Sequence, residues 1–315
     1  MTGVDPLPWL LEPENPSARY LTLTRLLDRP EDDLEVQEAR AAIPGWGPAR
    51  AILDAQWPEG YWMAPGIGYS PKHKATVWQA IFLAALGAPR IPEIERACAY
   101  ILDHGRLPDG RFSAFKTAKG AIACLNGNLL RSILQFGIQD PRMDQSLEAL
   151  AEMLLRDGFR CRYNSPRPAL ARNGLPCAWG LIKALGAFAE MPGAQRSPTV
   201  REATEAGVSF LVQHDLAAGD FPTATKPSRL WQAFGFPLDY TSDLVEGLEV
   251  LGRLGVRGDP RLAAAIAVVR SKQDNVGRWA LEYTPDNTWA TFGELGQPNK
   301  WVTLRALGAL KGMVQ

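Results

Sequence analysis

The sequence predicts an all-α protein, a single domain built from about five to six helical hairpins. Five segments share one order of features: an apolar helix, a polar turn that contains Gly, and then an aromatic residue. The turn glycines lie 50, 48, 61 and 58 residues apart, and a period of this length holds two helices. No strand-like alternation of apolar and polar residues competes with this pattern. The glycines are Gly60, Gly110, Gly158, Gly219 and Gly277.

The first helix of each hairpin ends at the glycine turn. In the second hairpin, Ile94, Cys98, Ile101 and Leu102 follow the spacing of one helical face, which predicts an apolar side turned toward the core. The five segments that end this way cover residues 51–62, 100–112, 150–161, 209–221 and 268–279.

The second helix of each hairpin often closes on Gly, which suits a left-handed C-cap. These helices are predicted over residues 76–87, 125–137, 178–190, 243–255 and 301–312. A further pair of helices over residues 1–49 precedes the repeats, with Asn15 as a cap before Pro16. We therefore predict an N-terminal pair that closes the fold, followed by one continuous repeat region over residues 50–315.

Composition narrows the classes of partner and compartment. The chain carries 34 basic and 34 acidic residues, so no net charge favours nucleic acid or an anionic membrane. Apolar runs stay well short of the roughly 20 residues that span a bilayer. The N-terminus lacks the basic region of a signal peptide, and the four Cys form no CxxC pair. We expect a cytoplasmic protein with no transmembrane segment.

A repeat of helical hairpins forms either an open solenoid or a closed ring. The segments "QDNVGRW" and "QWPEGYW" resemble the QW repeats of squalene-hopene cyclases and the related repeats of protein prenyltransferase β subunits, over residues 50–315. The resemblance implies an (α/α) toroid, in which one helix of each hairpin lines a central cavity and the other lies outside. It also implies that Gln273 and Trp279 stabilise the fold.

The outer-helix turns and the N-termini of the inner helices then share one rim of the ring. Lys74, Cys124, Cys177 and Ser242 each lie thirteen residues before an inner-helix end, so we expect them at similar depth there. Cys161 follows a glycine turn and belongs to the same rim, as does His73. We predict that the functional site lies at this rim.

Three thiols at this rim suggest a metal site. Cys124, Cys161 and Cys177, completed by Asp243 or a His, would suit tetrahedral Zn²⁺. The resemblance to protein prenyltransferases implies zinc at this rim, although their Asp-x-Cys spacing is absent here. The alternative is that Cys124 and Cys177 are small residues that allow tight helix contacts.

A second hypothesis for an enzymatic function follows from the resemblance to class II cyclases, which protonate an alkene with an Asp-x-Asp-Asp acid. The acidic segment "RPEDDLEV" has Pro30 in place of the first Asp, so the motif is missing. Asp239 and Asp243 remain as candidate catalytic acids, each acting alone. A solvated helix cap in "DYTSDL" is the alternative.

Aromatic and basic residues near the rim suggest an apolar substrate. Aromatic rings can line a prenyl tunnel and stabilise a carbocation, and inner-helix N-termini attract anions. The predicted substrate-binding residues are Lys74, Trp78, Trp179, Trp231, Phe236, Tyr240 and Trp301. Core packing explains most of these aromatics equally well.

The leading hypothesis is a prenyltransferase-like or terpene-cyclase-like protein that handles an isoprenoid or similar apolar substrate and uses zinc. A non-catalytic toroid that binds a ligand or a protein is the alternative, and a cyclase with a single Asp acid is the second. The absence of P-loop and GxGxxG motifs argues against a nucleotide cofactor. Since protein prenyltransferases work with a second subunit, the resemblance leaves two alternatives for an enzyme: a toroid that acts alone, or one half of a complex with a partner subunit.

Overall fold

The computed structural model describes residues 5–161, 176–219 and 228–314, and within these ranges the chain is all-α. Thirteen α-helices and no β-strand occur in the described ranges, which confirms the predicted fold class. None of these helices combines the length and apolarity needed to cross a membrane. The helices are α1 Leu7–Leu10, α2 Pro16–Arg25, α3 Leu34–Ala42, α4 Gly47–Asp54, α5 Thr76–Ala85, α6 Pro92–His104, α7 Ala123–Gln135, α8 Arg142–Asp157, α9 Ala178–Glu190, α10 Pro198–Val212, α11 Leu244–Arg253, α12 Ala263–Ser271 and α13 Lys300–Val314.

The inner helices of five hairpins form an (α/α) toroid. Helices α5, α7, α9, α11 and α13 contact one another in chain order, and α4, α6, α8, α10 and α12 lie outside them. Helix α5 is enclosed on nearly every side, since nine of its ten residues are buried, and most of them are apolar. Helices that are apolar all round belong in the interior of a fold.

Helix α2 lies between the first and last inner helices. Its Ser17 hydroxyl donates to the Leu86 carbonyl at the end of α5 over 2.7 Å. The same oxygen accepts a hydrogen bond from Trp301 Nε1 of α13 over 2.9 Å. The N-terminal helices therefore meet both ends of the repeat region, while the division between residues 1–49 and 50–315 stays a prediction.

The aromatic residue after a glycine turn connects an outer helix to the following inner helix. Trp279 Nε1 donates to the Val269 carbonyl of α12 over 2.8 Å, and its backbone N–H donates to Thr303 Oγ1 of α13 over 2.9 Å. Trp62 makes the equivalent pair of bonds in the first hairpin. Gln273 is exposed, and no side-chain hydrogen bond is recorded for it within the described ranges. The aromatic of the fourth repeat, Phe221, lies outside those ranges.

Helices α7 and α9 approach each other most closely through Gly127. A Cβ atom at this position would lie 2.4 Å from the backbone carbonyl carbon of Lys183, closer than two carbon atoms can approach without a bond. The glycine therefore sets the separation of these two inner helices, and with it the positions of the side chains that they present to the centre of the ring.

Candidate ligand-binding cavity

A cavity of about 670 Å³ lies at the carboxyl ends of the inner helices. This end of the ring is opposite to the rim where the sequence predicted the site. Gln135 of α7, Glu190 of α9, Arg253 of α11 and Gly308 of α13 line the cavity, together with Arg25 at the end of α2. The cavity is thus surrounded by helices from both the repeats and the N-terminal region.

Charged side chains of three inner helices meet on the wall of the cavity. Arg131 Nη1 of α7 and Lys183 Nζ of α9 each donate to Glu246 Oε1 of α11 over 3.0 Å. Lys183 is only 1% exposed, so its charge depends on Glu246 for compensation. This ion-pair network links three consecutive hairpins.

A second carboxylate, nearer the mouth of the cavity, accepts hydrogen bonds from three side chains. Glu190 accepts hydrogen bonds from Arg131, Gln135 and Arg253 at 2.6 to 3.2 Å. Although burial favours the neutral form, these arginines lower the pKa of Glu190 to about 2. Gly186 leaves room for Arg131, because a Cβ atom there would lie 3.2 Å from its Nη1. Glu190 is therefore ionised at neutral pH.

Arg305 of α13 is a buried cation that pairs with two carboxyl groups, one at the N-cap of α11 and one within that helix. It makes a two-pronged ion pair with Asp243 at 2.8 and 2.9 Å, and its Nε donates to Glu249 Oε2 over 3.1 Å. Burial raises the pKa of Glu249, and Arg305 and Arg131 offset only part of this effect. Glu249 therefore differs from Glu190 and Asp243, whose pKa values are lowered.

Arg25 differs from the other cations of the cavity. Within residues 5–161, 176–219 and 228–314, its guanidinium has no hydrogen bond or ion pair. Its side chain is exposed where it lines the cavity, and partial burial together with Arg253 and Arg131 lowers its pKa. An arginine keeps its charge even so.

The described charges around the cavity do not balance. Five cations face four carboxyl groups, which leaves one positive charge when all are ionised. At the mouth, Arg40 pairs with Glu31 and Arg90 pairs with Glu95, so these groups do not change the balance. The cations are Arg25, Arg131, Lys183, Arg253 and Arg305, and the carboxyl groups are Glu190, Asp243, Glu246 and Glu249.

Beneath the charged groups the cavity has an apolar floor. A smaller extension of about 80 Å³ reaches Ile81, Phe236 and Trp301. The Phe236 and Trp301 rings stack with centroids 4.6 Å apart and planes inclined by 4°. These two of the seven predicted substrate-binding residues therefore line the described cavity.

The other predicted substrate-binding residues lie near the opposite rim or in the wall. Trp78 is buried and its Nε1 donates to the Tyr69 carbonyl, and Trp231 is held in the same way by Leu216. Tyr240 lies between Trp78 and Trp179, with ring centroids 6.4 and 6.3 Å away. The Lys74 ammonium lies 4.6 Å from the ring of Trp289. Their predicted contact with a substrate stays a prediction.

Asp239, one predicted catalytic acid, belongs to a buried cluster at that rim. Its Oδ2 lies 3.0 Å from both His73 Nε2 and the Tyr283 hydroxyl, and its Oδ1 accepts from the Thr241 N–H. Burial favours a neutral carboxyl, but His73 and Thr241 outweigh it and lower the pKa of Asp239. An ionised carboxylate accepts protons and does not donate them.

Asp243, the other predicted acid and a predicted zinc ligand, is also held as an anion. Besides Arg305, it accepts from the Gly235 N–H and from the Glu246 N–H as the N-cap of α11. Arg305 and these N–H groups lower its pKa despite complete burial. The structure places Asp243 with Arg305, and its predicted roles as acid and zinc ligand stay predictions.

The three predicted zinc thiols do lie close together. A hydrogen bond to Cys161 raises the pKa of Cys177, and Cys124 lies near enough to both thiols to act on them electrostatically. Burial raises the pKa of Cys124 to about 12, so this thiol is protonated. In the described part of the chain, no group of three or more His, Cys, Asp or Glu is arranged to hold a metal ion.

Sequence reasoning missed most residues of the cavity. The signal for them was a charged residue inside an otherwise apolar inner helix, as in "LLRSIL", "GLIKALG" and "VTLRALG". Arg131, Lys183 and Arg305 occupy these positions. A charge is rarely buried without a partner, so such residues predict an internal ion-pair network.

No protein-family model and no curated protein matches the sequence. Solved structures that match include a protein from Actinoplanes, 15% identical with a TM-score of 0.45, covering 96% of this chain and 89% of its own. A variant of the type II terpene cyclase MstE from Scytonema, in complex with geranylgeranyl dihydroxybenzoate, is 15% identical with a TM-score of 0.43. That match covers 84% of this chain and 74% of the cyclase. At these TM-scores the fold assignment rests on the helix packing described above.

Proposed function

We propose that the toroid binds a small acidic molecule in its central cavity. The observation that carries this proposal is the guanidinium of Arg25, which has no partner within the described residues and lines the cavity together with Arg131 and Arg253. Guanidinium groups bind carboxylates and phosphates through paired hydrogen bonds. An anion at this point would neutralise the one excess positive charge of the cavity, while the other cations already have partners.

Titration calorimetry with two probes, the doubly charged sulfate and the singly charged acetate, tests this proposal. At least one probe should bind, and Arg25→Gln should weaken it by about tenfold or more, because a hydrogen bond to a charged group contributes roughly 1.5–3 kcal/mol. Arg50→Gln is the matched control, since Arg50 forms an exposed ion pair with Asp54 on the outside of the ring. If neither probe binds, or if both variants bind equally well, the proposal is wrong.

Handling of an isoprenoid is the second candidate function. The apolar floor formed by Phe236 and Trp301 favours it, because an acidic head group near Arg25 would direct an attached apolar tail toward these rings. Farnesyl diphosphate should then bind more tightly than pyrophosphate, and incubation should give a cyclised or transferred product by mass spectrometry. Loss of that product in Asp239→Asn or Asp243→Asn, in a variant that circular dichroism shows to be folded at the assay temperature, would support the single-acid cyclase. Equal affinity and no product would leave the non-catalytic toroid.

Zinc binding is a separate proposal that rests on the proximity of Cys161, Cys177 and Cys124. Elemental mass spectrometry of untagged protein should find near-stoichiometric zinc that is lost when each Cys is changed to Ala. Protein without metal, with unchanged folding in the variants, would refute it.

The partner subunit and the cytoplasmic location also stay predictions. Light scattering of the purified protein tests the first, and cell fractionation tests the second.

A further inference from the structure

We propose that the cavity takes a doubly charged oxyanion of the phosphate monoester class, and that Glu249 takes up a proton when this ligand binds. This inference rests on the proposed function, because it requires an anion at Arg25. Beyond the proposed function, it specifies the charge of the ligand and identifies Glu249 as the group that is protonated when the ligand binds. Glu249 is then a specificity-determining residue of the site.

The geometry leaves one oxygen of Glu249 available to the cavity. Its Oε2 accepts from Arg305 Nε, whereas no bond to its Oε1 is recorded among the described residues. The side chain is 16% exposed and lines both the cavity and its deeper extension, as Arg25 does. Arg25 and Glu249 therefore face the same cavity from α2 and α11.

The charge balance decides how many protons accompany the ligand. With every group ionised, the cavity has one positive charge, which a singly charged carboxylate neutralises without any proton. A dianion would leave one negative charge in a recessed space, where unbalanced charge is costly. One proton on a carboxyl group restores neutrality and also provides an O–H donor to the oxyanion.

Glu249 is the group suited to accept that proton. Burial already raises its pKa in the free protein. The pKa of Glu190 lies near 2, that of Asp243 is lowered by Arg305, and Glu246 is held by two cations from α7 and α9. The facing groups on α2, α7, α9 and α13 are Arg25, Arg131, Lys183 and Arg305, which are cations and do not compete for a proton at neutral pH.

A phosphate ligand also has the number of acceptors that the site can use. Its three terminal oxygens match Arg25, the unbonded Nη2 of Arg131 and a protonated Glu249, counted within the described residues. A carboxylate has two oxygens and a single charge, so it would use fewer of these donors. The site therefore favours a phosphate over a carboxylate.

Sulfate is the appropriate probe, because it keeps both negative charges across the range from about pH 6 to pH 9 and contributes no proton of its own. Titration calorimetry in two buffers of different ionisation enthalpy counts the protons taken up. We expect close to one proton for each sulfate bound, and an affinity that rises up to tenfold for each pH unit of decrease where Glu249 is ionised in the free protein.

Glu249→Gln keeps the shape and a donor but cannot titrate. It should bind sulfate without proton uptake and without pH dependence, while Arg25→Gln should lose sulfate binding. Sulfate binding with no proton uptake by the unaltered protein, or binding of the singly charged acetate alone, would overturn this inference and leave the proposed function standing. Failure of both anions to bind would overturn both. Should Glu249→Gln fail to fold, the proton count of the unaltered protein still decides.

Discussion

At Asp243 a single carboxylate holds three segments of the chain together. It caps α11, accepts the Gly235 N–H and pairs with Arg305 of α13. The pair is buried, with side-chain exposures of 1% and 10%, so loss of one partner leaves the other charge uncompensated. Removing one partner of such a buried pair therefore costs far more stability than removing one partner of an exposed pair.

Asp243→Asn should therefore lower the free energy of unfolding by about 3–5 kcal/mol, measured by urea denaturation. Asp54→Asn provides the matched control, because Asp54 also pairs with an arginine but on the exposed face of α4. That control should change stability by less than about 1 kcal/mol. Equal small losses in the two variants would show that the buried pair is not needed for stability.

The His73 cluster predicts a dependence of stability on pH. Burial lowers the pKa of His73, but hydrogen bonds and attraction from Asp239 and Asp286 outweigh it, so its pKa is raised above 6.5. The folded protein then binds more protons than the unfolded chain, and stability falls as pH rises from about 6.5 through the folded pKa. The lowered pKa of Asp239 acts only near and below pH 3.8, outside this window.

Urea denaturation between about pH 6 and pH 9 measures this effect. Stability should decrease toward alkaline pH in the unaltered protein, and His73→Gln should remove most of the slope because it cannot titrate. A stability that is independent of pH over this window in the unaltered protein would contradict the proton linkage.

Single residues differ in how well the sequence predicts them. Asn15 was predicted as a helix cap and does accept the Ala18 N–H, because capping depends only on neighbours in the chain. The partner of Arg305 could not be predicted, since Asp243 lies 62 residues away and the contact depends on how α11 and α13 pack. No pattern in the sequence indicated that the Arg25 guanidinium has no ion-pair partner within the described residues.

Among the elements, the contact of α7 with α9 has the tightest backbone approach that we describe. Small residues allow it, and Gly127 contacts the backbone of α9 directly. Helix positions were predictable because the apolar spacing and the glycine turns are local signals. Helix α8 begins at Arg142, and the side chain of Asp140, two residues earlier, accepts the Arg142 N–H.

Gly127→Ala should separate α7 from α9 and lower the free energy of unfolding by about 1–3 kcal/mol, as overpacking does in tight cores. Gly308→Ala is a suitable control on another inner helix, because the nearest atom to the added Cβ is 3.9 Å away. That variant should be neutral or up to about 1 kcal/mol more stable, owing to the higher helix propensity of Ala. Thermal melts of the two proteins followed by circular dichroism distinguish these results, and equal behaviour would show that Gly127 is not a close contact.

For the whole molecule, the sequence predicted a ring with its site at the N-terminal rim of the inner helices, whereas the cavity described here lies at the opposite end. The repeats fix which helices are inner and outer, because each hairpin carries the same pattern. The repeats do not indicate which end of the ring is filled by side chains and which is open, because the filling comes from side chains of hairpins that are distant in the sequence. At the N-terminal rim, His73, Asp239 and Tyr283 occupy that space, whereas the carboxyl ends leave about 670 Å³ open.

Closure of the ring predicts that the repeat region does not fold stably without the N-terminal helices. Helix α2 buries Tyr20, Leu21 and Leu23, and its Ser17 bonds to both α5 and α13. A chain that begins at residue 50 would expose the apolar faces that these residues cover, at a cost of roughly 1.5–3 kcal/mol for each large side chain. Circular dichroism should then show a melt at least several degrees lower or without cooperativity, and the cavity would lose Arg25 and its affinity for anions.

Ser17→Ala in the full chain is the control for the hydrogen bonds alone and should lower stability by only about 1–3 kcal/mol. A shortened chain that melts cooperatively at the original temperature would instead show that residues 50–315 fold independently, with the N-terminal helices attached to a ring that is already closed.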